Sequence, residues 1–294
     1  MSDATGEEAA KPGTEIWSFE TAKRVNSPAI ANGTVYIGNS GGDLYALDAA
    51  TGDKQWKTDL NLIFSAPTVV DGAVYIGGNK LYEIDADTGR ENWTFEPDSI
   101  IKNVPTVASG MVYIGSDEFL YAVDRLTGTL EWSFEANDAI SSSATVEQHI
   151  VYVGSQDENL YALDATTGEE EWVFETGGAV RTSPTVVGGT VYFGSNDETL
   201  YAVDATTGKS EWEFTAGASI STSPAVVDGT VYVGGFSHSF FAVDAATGDV
   251  KWAFRTSASE ISRPTVAGET VYVGSYDNSL YAIDAVTGKK RMEI

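Results

Sequence analysis

The chain contains no cysteine, so disulfides, thiolate metal sites and cysteine nucleophiles are excluded. It is also short of cations: 17 Lys and Arg stand against 43 Asp and Glu, a formal net charge of −26. A field of that sign repels phosphates before contact and opposes nucleic-acid binding. No apolar run approaches the roughly 20 residues that span a bilayer. Apolar residues nowhere recur with the 3.6-residue period of a helix. The opening MSDATGEEAAKPG lacks the basic and apolar regions of a signal peptide. Residues 1–13 read as a disordered acidic tail.

The charge excess carries a second implication. Dense carboxylates that hold water, with their repulsion screened by salt, resemble the surfaces of proteins from salt-loving organisms. The expected source is a halophilic archaeon; an ordinary acidic soluble protein is the alternative.

What the chain does contain is a repeat. Tyrosine recurs in the same context at Tyr36, Tyr75, Tyr113, Tyr152, Tyr192, Tyr232 and Tyr272. The glycine of a Thr-Gly pair recurs at Gly52, Gly89, Gly128, Gly168, Gly208, Gly248 and Gly288. Both series step by about 40 residues. All seven tryptophans, Trp17, Trp56, Trp93, Trp132, Trp172, Trp212 and Trp252, fall on the same lattice.

Each unit carries four strand signals. The first follows Ser-Pro, as at Ser223-Pro224, and a turn such as Asp228-Gly229 leads to Thr-Val-Tyr-Val-Gly. A polar loop then leads to Leu-Tyr-Ala-Val-Asp, and Ala-Thr-Thr-Gly leads to a fourth strand, Glu211-Trp212-Glu213-Phe214. Four short β-branched and aromatic strands in about 40 residues predict a propeller blade. The fold class expected is all-β: residues 14–294 as a single β-propeller domain of four-stranded antiparallel blades, seven in number, with eight as the alternative. Residues 15–20 (EIWSFE) form an isolated fourth-strand sequence, expected to supply the outer strand of the last blade and so close the ring. Met292, at the tryptophan position of the last unit, is the other candidate for that place, leaving the Trp17 strand outside it.

The string Ala-x-Asp-x-x-Thr-Gly-x-x-x-Trp, with Ala46, Asp48, Gly52 and Trp56 in one unit and Ala162, Asp164, Gly168 and Trp172 in another, resembles the tryptophan motif of pyrroloquinoline-quinone (PQQ) type propeller repeats. That family includes quinoprotein alcohol dehydrogenases and the BamB lipoprotein of the outer-membrane assembly machinery. The resemblance implies eight blades, from which seven is a departure, and indoles wedged between neighbouring blades near the Ala of one motif and the Gly of the next. Independently, the motif aspartates (Asp48, Asp85, Asp124, Asp164, Asp204, Asp244, Asp284) are expected to bond turn N–H groups rather than catalyse. The resemblance further implies an extracytoplasmic, cell-envelope location after removal of a leader not present in this chain, with a cytoplasmic location as the alternative.

Strand alternation places the loops before each first strand, and those between second and third strands, on one face around the channel mouth. These loops carry Lys23, Arg24, Lys102, Arg181 and Arg263, with Asn26, Asn103, Phe64, Gln156, Phe236, His238 and Tyr276. Arginine forks beside aromatics suit a carboxylate or phosphate ligand. The competing expectation is that these cations pair with the loop residues Asp157, Asp197 and Asp277, or bond inward-facing carbonyls. His149 falls on the opposite face and reads as a surface residue, so the two histidines cannot share a metal.

The function expected is a non-enzymatic binding or assembly scaffold of monomeric form. It offers the mouth to a protein, a peptide or a small anionic ligand, and it holds no metal or cofactor. A quinoprotein dehydrogenase using PQQ with calcium is the alternative that the resemblance implies. The family's enzymes add adjacent cysteines, a calcium site and long insertions, which are not legible here. The near-identity of the units from Ser143 to Asp284 allows a third reading, an engineered or consensus-like repeat protein.

Overall fold

Runs of three to six residues form the strands; the first three of each blade are rich in Val, Tyr, Ile, Leu, Ala and Thr, and the fourth carries charged residues around Trp or, in the last, Met. The computed structural model describes residues 15–236, 238–258 and 262–293, so the expected tail at 1–13 lies outside the described residues. The strands assemble into seven four-stranded antiparallel sheets, each ordered first to fourth along the chain. They span 29–59, 68–95, 106–135, 145–175, 185–215, 225–255 and 265–293, and are numbered here as blades 1 to 7. First strands of successive blades approach one another at the hub, and fourth strands lie outermost.

Blade 5 shows why this sequence makes this shape. Its strands are Thr185–Val187, Thr190–Gly194, Thr199–Asp204 and Ser210–Thr215. Alternation sends Tyr192, Leu200 and Ala202 to one face, against Val231, Val233 and Val243 of blade 6. It sends Val191, Phe193, Tyr201 and Val203 to the other, against Tyr152, Leu160 and Ala162 of blade 4. Between the third and fourth strands the register shifts at Ala202/Val203, so Trp212 faces Ala202 while Ser210 faces Val203. The extra residue is a bulge, which turns the indole toward the next blade.

That indole makes the joint. Trp172 of blade 4 donates its Nε1–H to the Ala205 carbonyl of blade 5 at 3.1 Å, and the Tyr152 hydroxyl donates to the same oxygen at 3.0 Å. The Trp172 ring lies 2.7 Å from where a Cβ on Gly208 would stand, and Gly208 has φ of +66°. Only glycine serves there, on both counts. The turn carrying it is held by Asp204, whose Oδ1 accepts N–H bonds from Thr206 (3.2 Å) and Thr207 (2.8 Å) and the Thr207 hydroxyl. The same arrangement recurs for Trp132 on Ala165 and Gly168, and for Trp212 on Ala245 and Gly248. The motif aspartates thus perform the turn chemistry expected of them.

The closure of the ring departs from expectation. The fourth place in blade 7 belongs to Lys290–Glu293, with Met292 in register opposite Ala282, and residues 15–20 form no strand. Trp17 instead lies on blade 1, donating to the Ala49 carbonyl at 3.0 Å and covering Gly52, while Phe19 meets Tyr45 edge-on at 5.2 Å. The physical reason is occupancy: blade 7 completes itself, and the N-terminal segment takes the Ala49 acceptor that a seventh blade-to-blade joint would use. Six apolar clusters join successive blades, and a seventh joins blade 1 to Trp17 and Phe19. Among the described residues none joins blade 7 to blade 1.

Two measurements test this account. Trp172→Ala should cost roughly 3 kcal/mol in denaturant unfolding. Gly208→Ala should also destabilise, and the pair together less than additively, because both act on one contact. Acid should unfold the protein through its turns. All seven motif aspartates are held below the ordinary carboxylate range by turn donors, and at Asp244 and Asp284 chiefly by Lys251 and Arg291. A depressed folded value gives stability that is complete above the unfolded value, about 4, and lost as pH falls below it. The melting temperature should therefore drop from about pH 4 downward, and Asp164→Asn should shrink that drop.

Candidate binding face at the channel mouth

The linkers entering each blade and the loops between second and third strands do share a face, stitched by backbone bonds. Gln156 donates to the Ala139 carbonyl at 2.9 Å, Asn196 to Ala179 at 3.0 Å and Phe236 to Ser219 at 3.1 Å. The hairpin and Thr-Gly turns pair on the other face, where Ala165 donates to the His149 carbonyl at 2.8 Å and Ala205 to Gly189 at 2.8 Å. His149 therefore sits at a turn, opposite the mouth.

Four of the predicted residues come together. Lys102, Asn103 and Gln156 line a cleft of about 250 Å³ between blades 3 and 4, with Ile100, Asp117 and Ile140. Arg181 reaches this group from the next linker, donating to Gln156 Oε1 at 2.6 Å. Asn103 is also a clamp: its Nδ2 donates to the carbonyls of Ile140 (3.3 Å) and Ser142 (2.9 Å), and its Oδ1 accepts from Gly115 N–H at 3.2 Å. That last bond replaces one accepted by a hydroxyl elsewhere, as Thr182 Oγ1 accepts from Gly194 N–H at 2.8 Å. Asn26 likewise spans two blades, donating to the Ser65 carbonyl at 3.0 Å.

The remaining predicted residues are distributed around the face without sharing that cleft. Arg24 and Arg263 are exposed, as is Lys23. Phe64, Phe236 and Tyr276 expose 41%, 47% and 73% of their surface, which marks Tyr276 as the least supported by neighbours. His238 is exposed on a left-handed backbone, φ +56°, and its carbonyl accepts from Thr256 N–H at 2.9 Å.

The expected pairing of mouth cations with loop aspartates is not what the structure shows. Asp157, Asp197 and Asp277 each accept a tyrosine hydroxyl at 2.7 Å, from Tyr161, Tyr201 and Tyr281. Each also takes a backbone N–H, from Asn137 (2.9 Å), Gly177 (2.7 Å) and Ser257 (3.0 Å). Burial raises the Tyr161 and Tyr201 hydroxyls well above the phenol range, and the adjacent carboxylates add to it. Burial pushes Asp277 up, but the Tyr281 and Ser257 bonds outweigh it and leave the carboxyl below its usual range. Among the described residues, Lys23, Arg24, Lys102, Arg181 and Arg263 make no ion pair. On a chain of net charge −26, the mouth thus holds five cations without an ion-pair partner among the described residues.

One feature, a cavity on the turn face, went unread in the sequence, whereas Glu83 is visible there as a departure from the repeat. The cavity, larger at about 610 Å³, opens between blades 4 and 5, lined by Gln148, Tyr152, Glu171, Trp172 and Gly188. One sequence signal of it is Gln148-His149 in place of the Asp-Gly turn, with left-handed φ of 48° and 68°. Glu83 stands where other blades have alanine, 6% exposed beside Trp93 and taking a 3.2 Å bond from Asn92 Nδ2. Burial raises its carboxyl. The sign is opposite to that of the turn aspartates: a raised folded value penalises the native state at neutral pH, and the penalty fades as pH falls through it. Glu83→Gln should raise the melting temperature at pH 7 and leave it little changed near pH 4, a difference that thermal unfolding at the two pH values will show.

These observations define a class: a seven-bladed propeller with joints made by tryptophan and a loop face whose cations make no ion pair among the described residues. A family model described as outer membrane protein assembly factor BamB matches residues 8–77, 65–146, 116–223 and 202–291, and the chain belongs to that family. BamB from Moraxella catarrhalis superposes with a TM-score of 0.81 at 18% identity, covering 91% of this chain and 87% of that one. The computationally designed Ika8 protein superposes at 0.83 with 19% identity, covering 92% and 87%. Quinohemoprotein alcohol dehydrogenase ADH-IIG from Pseudomonas putida is 38% identical over 82 residues, which is 23% of this chain and 11% of the dehydrogenase. Its structure superposes at 0.76 with 16% identity, covering 91% of this chain and 65% of that one. The structural likenesses, at such identities, are likenesses of fold, and the matched sequence spans a small part of the dehydrogenase's length.

Proposed function

We propose that the chain is a non-enzymatic binding scaffold whose channel-mouth face holds an acidic segment of a partner protein. The observation that carries this reading is the set of unpaired cations at the mouth, Lys102 and Arg181 above all, beside loop aspartates already committed to tyrosines. Arginine and lysine without an ion-pair partner bind carboxylate by charge-assisted hydrogen bonds, and Phe64 and Phe236 offer exposed apolar surface elsewhere on the same face. The family's description as an assembly factor supports a polypeptide partner and a place in the cell envelope.

The quinoprotein alternative rests on the short match to ADH-IIG, and the residues present do not fit PQQ with calcium. The chain has no cysteine, and among the described residues no group of three or more His, Cys, Asp or Glu side chains converges. Incubation with the quinone and calcium should leave no bound chromophore and no dye-linked alcohol oxidation.

The binding reading is tested by thermal shift at low salt with a hexa-aspartate peptide, citrate and inorganic phosphate. The peptide should raise the melting temperature of the native chain by several degrees, about 1 kcal/mol of linkage or more. The effect should vanish in the Lys102→Ala, Arg181→Ala double variant and persist in Lys289→Ala, on the opposite face. A response to citrate and phosphate without one to the peptide would replace the protein partner with a small anion. No response to any probe, or one that survives the double variant, would overturn the reading.

A further inference from the structure

On the turn face, the joint between two blades leaves a gap bounded by the hairpin turn and fourth strand of one blade and the Thr-Gly turn of the next. Between blades 2 and 3 the chain fills this gap with its own cation. Arg125, at the repeat position of Ala205, reaches Asp71 on the hairpin turn of blade 2 at 2.7 Å. The space left there is about 310 Å³. Between blades 4 and 5 the same gap is about 610 Å³, and no lysine or arginine is among the described residues that line it.

Its walls instead carry two carboxylates. At the residue before the hairpin turn the other six blades have alanine or valine, as at Val70 and Val187, and blade 4 has Glu147. Glu171 is left over for a different reason. Elsewhere its counterpart bonds to a threonine that opens the second strand: Glu211 accepts from Thr190 at 2.9 Å, and Lys251 and Arg291 donate to Thr230 and Thr270, each at 2.9 Å. Blade 4 has Ile150 at that place, which offers no hydroxyl. Among the described residues the Glu147 and Glu171 side chains make no hydrogen bond or ion pair. Below them, buried Tyr152 meets the half-buried Trp172 ring at 5.8 Å. Burial pushes the Tyr152 hydroxyl up to about 12 and the Glu147 charge adds to it, which sets that carboxylate near the aromatic floor. The gap between blades 5 and 6 is as large, about 680 Å³, but it has Val187 in place of Glu147 and its Glu211 is already bonded to Thr190.

We propose that the cavity between blades 4 and 5 binds an alkylguanidinium cation, either the side chain of an arginine in a polypeptide or a free guanidine of that size. The guanidinium would sit between Glu147 and Glu171, with its aliphatic stem on Ile150 and Trp172. Charge complementarity carries the choice of ligand, since a planar guanidinium both forks onto carboxylate and packs on an aromatic ring. Arg125 supports it from within the chain, as the group that occupies the corresponding gap one joint away from blade 4. The inference uses no residue of the channel mouth, so it stands or falls apart from the binding reading of that face.

The test titrates the full chain at about 0.15 M salt, where screening confines the field of the net charge to about 8 Å. The probes are butylguanidinium chloride, acetyl-Gly-Arg-Gly-amide and the citrulline counterpart of that peptide, which keeps the shape and loses the charge. In proton–nitrogen NMR the Trp172 indole N–H signal, assigned with Trp172→Phe, should move on adding either charged probe, while the Trp56 signal stays in place. Tighter binding of the peptide would make a polypeptide the source, and tighter binding of butylguanidinium a small molecule; both support the site. The Glu147→Gln, Glu171→Gln double variant should bind about tenfold more weakly, and Glu131→Gln, Glu135→Gln, with the same charge change on blade 3, should bind as the parent does. Ala205→Arg copies the arrangement of Arg125 and should block both probes. No movement of the Trp172 signal, equal binding of the citrulline peptide, or binding that survives loss of both glutamates would overturn the proposal.

Discussion

The structure depends on one joint: an indole laid over a glycine, its N–H directed at a carbonyl of the following blade. Tryptophan supplies the largest apolar side chain together with a single donor, and the joint satisfies both at once. Each of the first six blades contributes its tryptophan to the next blade's turn, so the Thr-Gly turn is a receptor as much as a connection. Aspartate, threonine and glycine in that turn are therefore fixed by a contact with a residue about 35 positions earlier, a distance set by the repeat length. The bulge before each tryptophan follows from the same need, because a regular strand would aim the ring elsewhere.

Much of this was legible in the sequence because the period is long and strict. Blade number and strand order follow from spacing, the partners of Trp56 through Trp252 from the resemblance to PQQ-type repeats, and the turn role of Asp164 from its place before Thr-Gly. The destination of Trp17 was not legible. EIWSFE reads the same whether it completes the last blade or lies on the first, and the choice turns on which groups are already taken. Lys290–Glu293 fills blade 7, and the Ala49 carbonyl is the acceptor left for an indole.

The mouth was legible as a collection of residue types and less so as a site. Lys102, Gln156 and Arg181 meet there because their linkers are neighbours in space. Asn103 reads as a free polar residue until its position is set beside Ser65, Ser142, Thr182 and Thr222, whose hydroxyls accept the same N–H bond. Its amide makes that bond and two others. Likewise, Asp157, Asp197 and Asp277 look like partners for arginine in one dimension, and only the fold shows that a tyrosine four residues on has claimed each of them.

Every indole in the chain points forward, toward residues that come later. A blade is thus sealed by its successor, and a chain leaving the ribosome carries one unsealed margin at its growing end until synthesis stops. The margin moves along with each new repeat, while Trp17 and Phe19 cover Gly52 and Tyr45 of blade 1 from the start. Near-identical repeats invite pairing with the wrong neighbour, and this order of assembly limits that hazard, since each new Thr-Gly turn meets the indole of the blade just made.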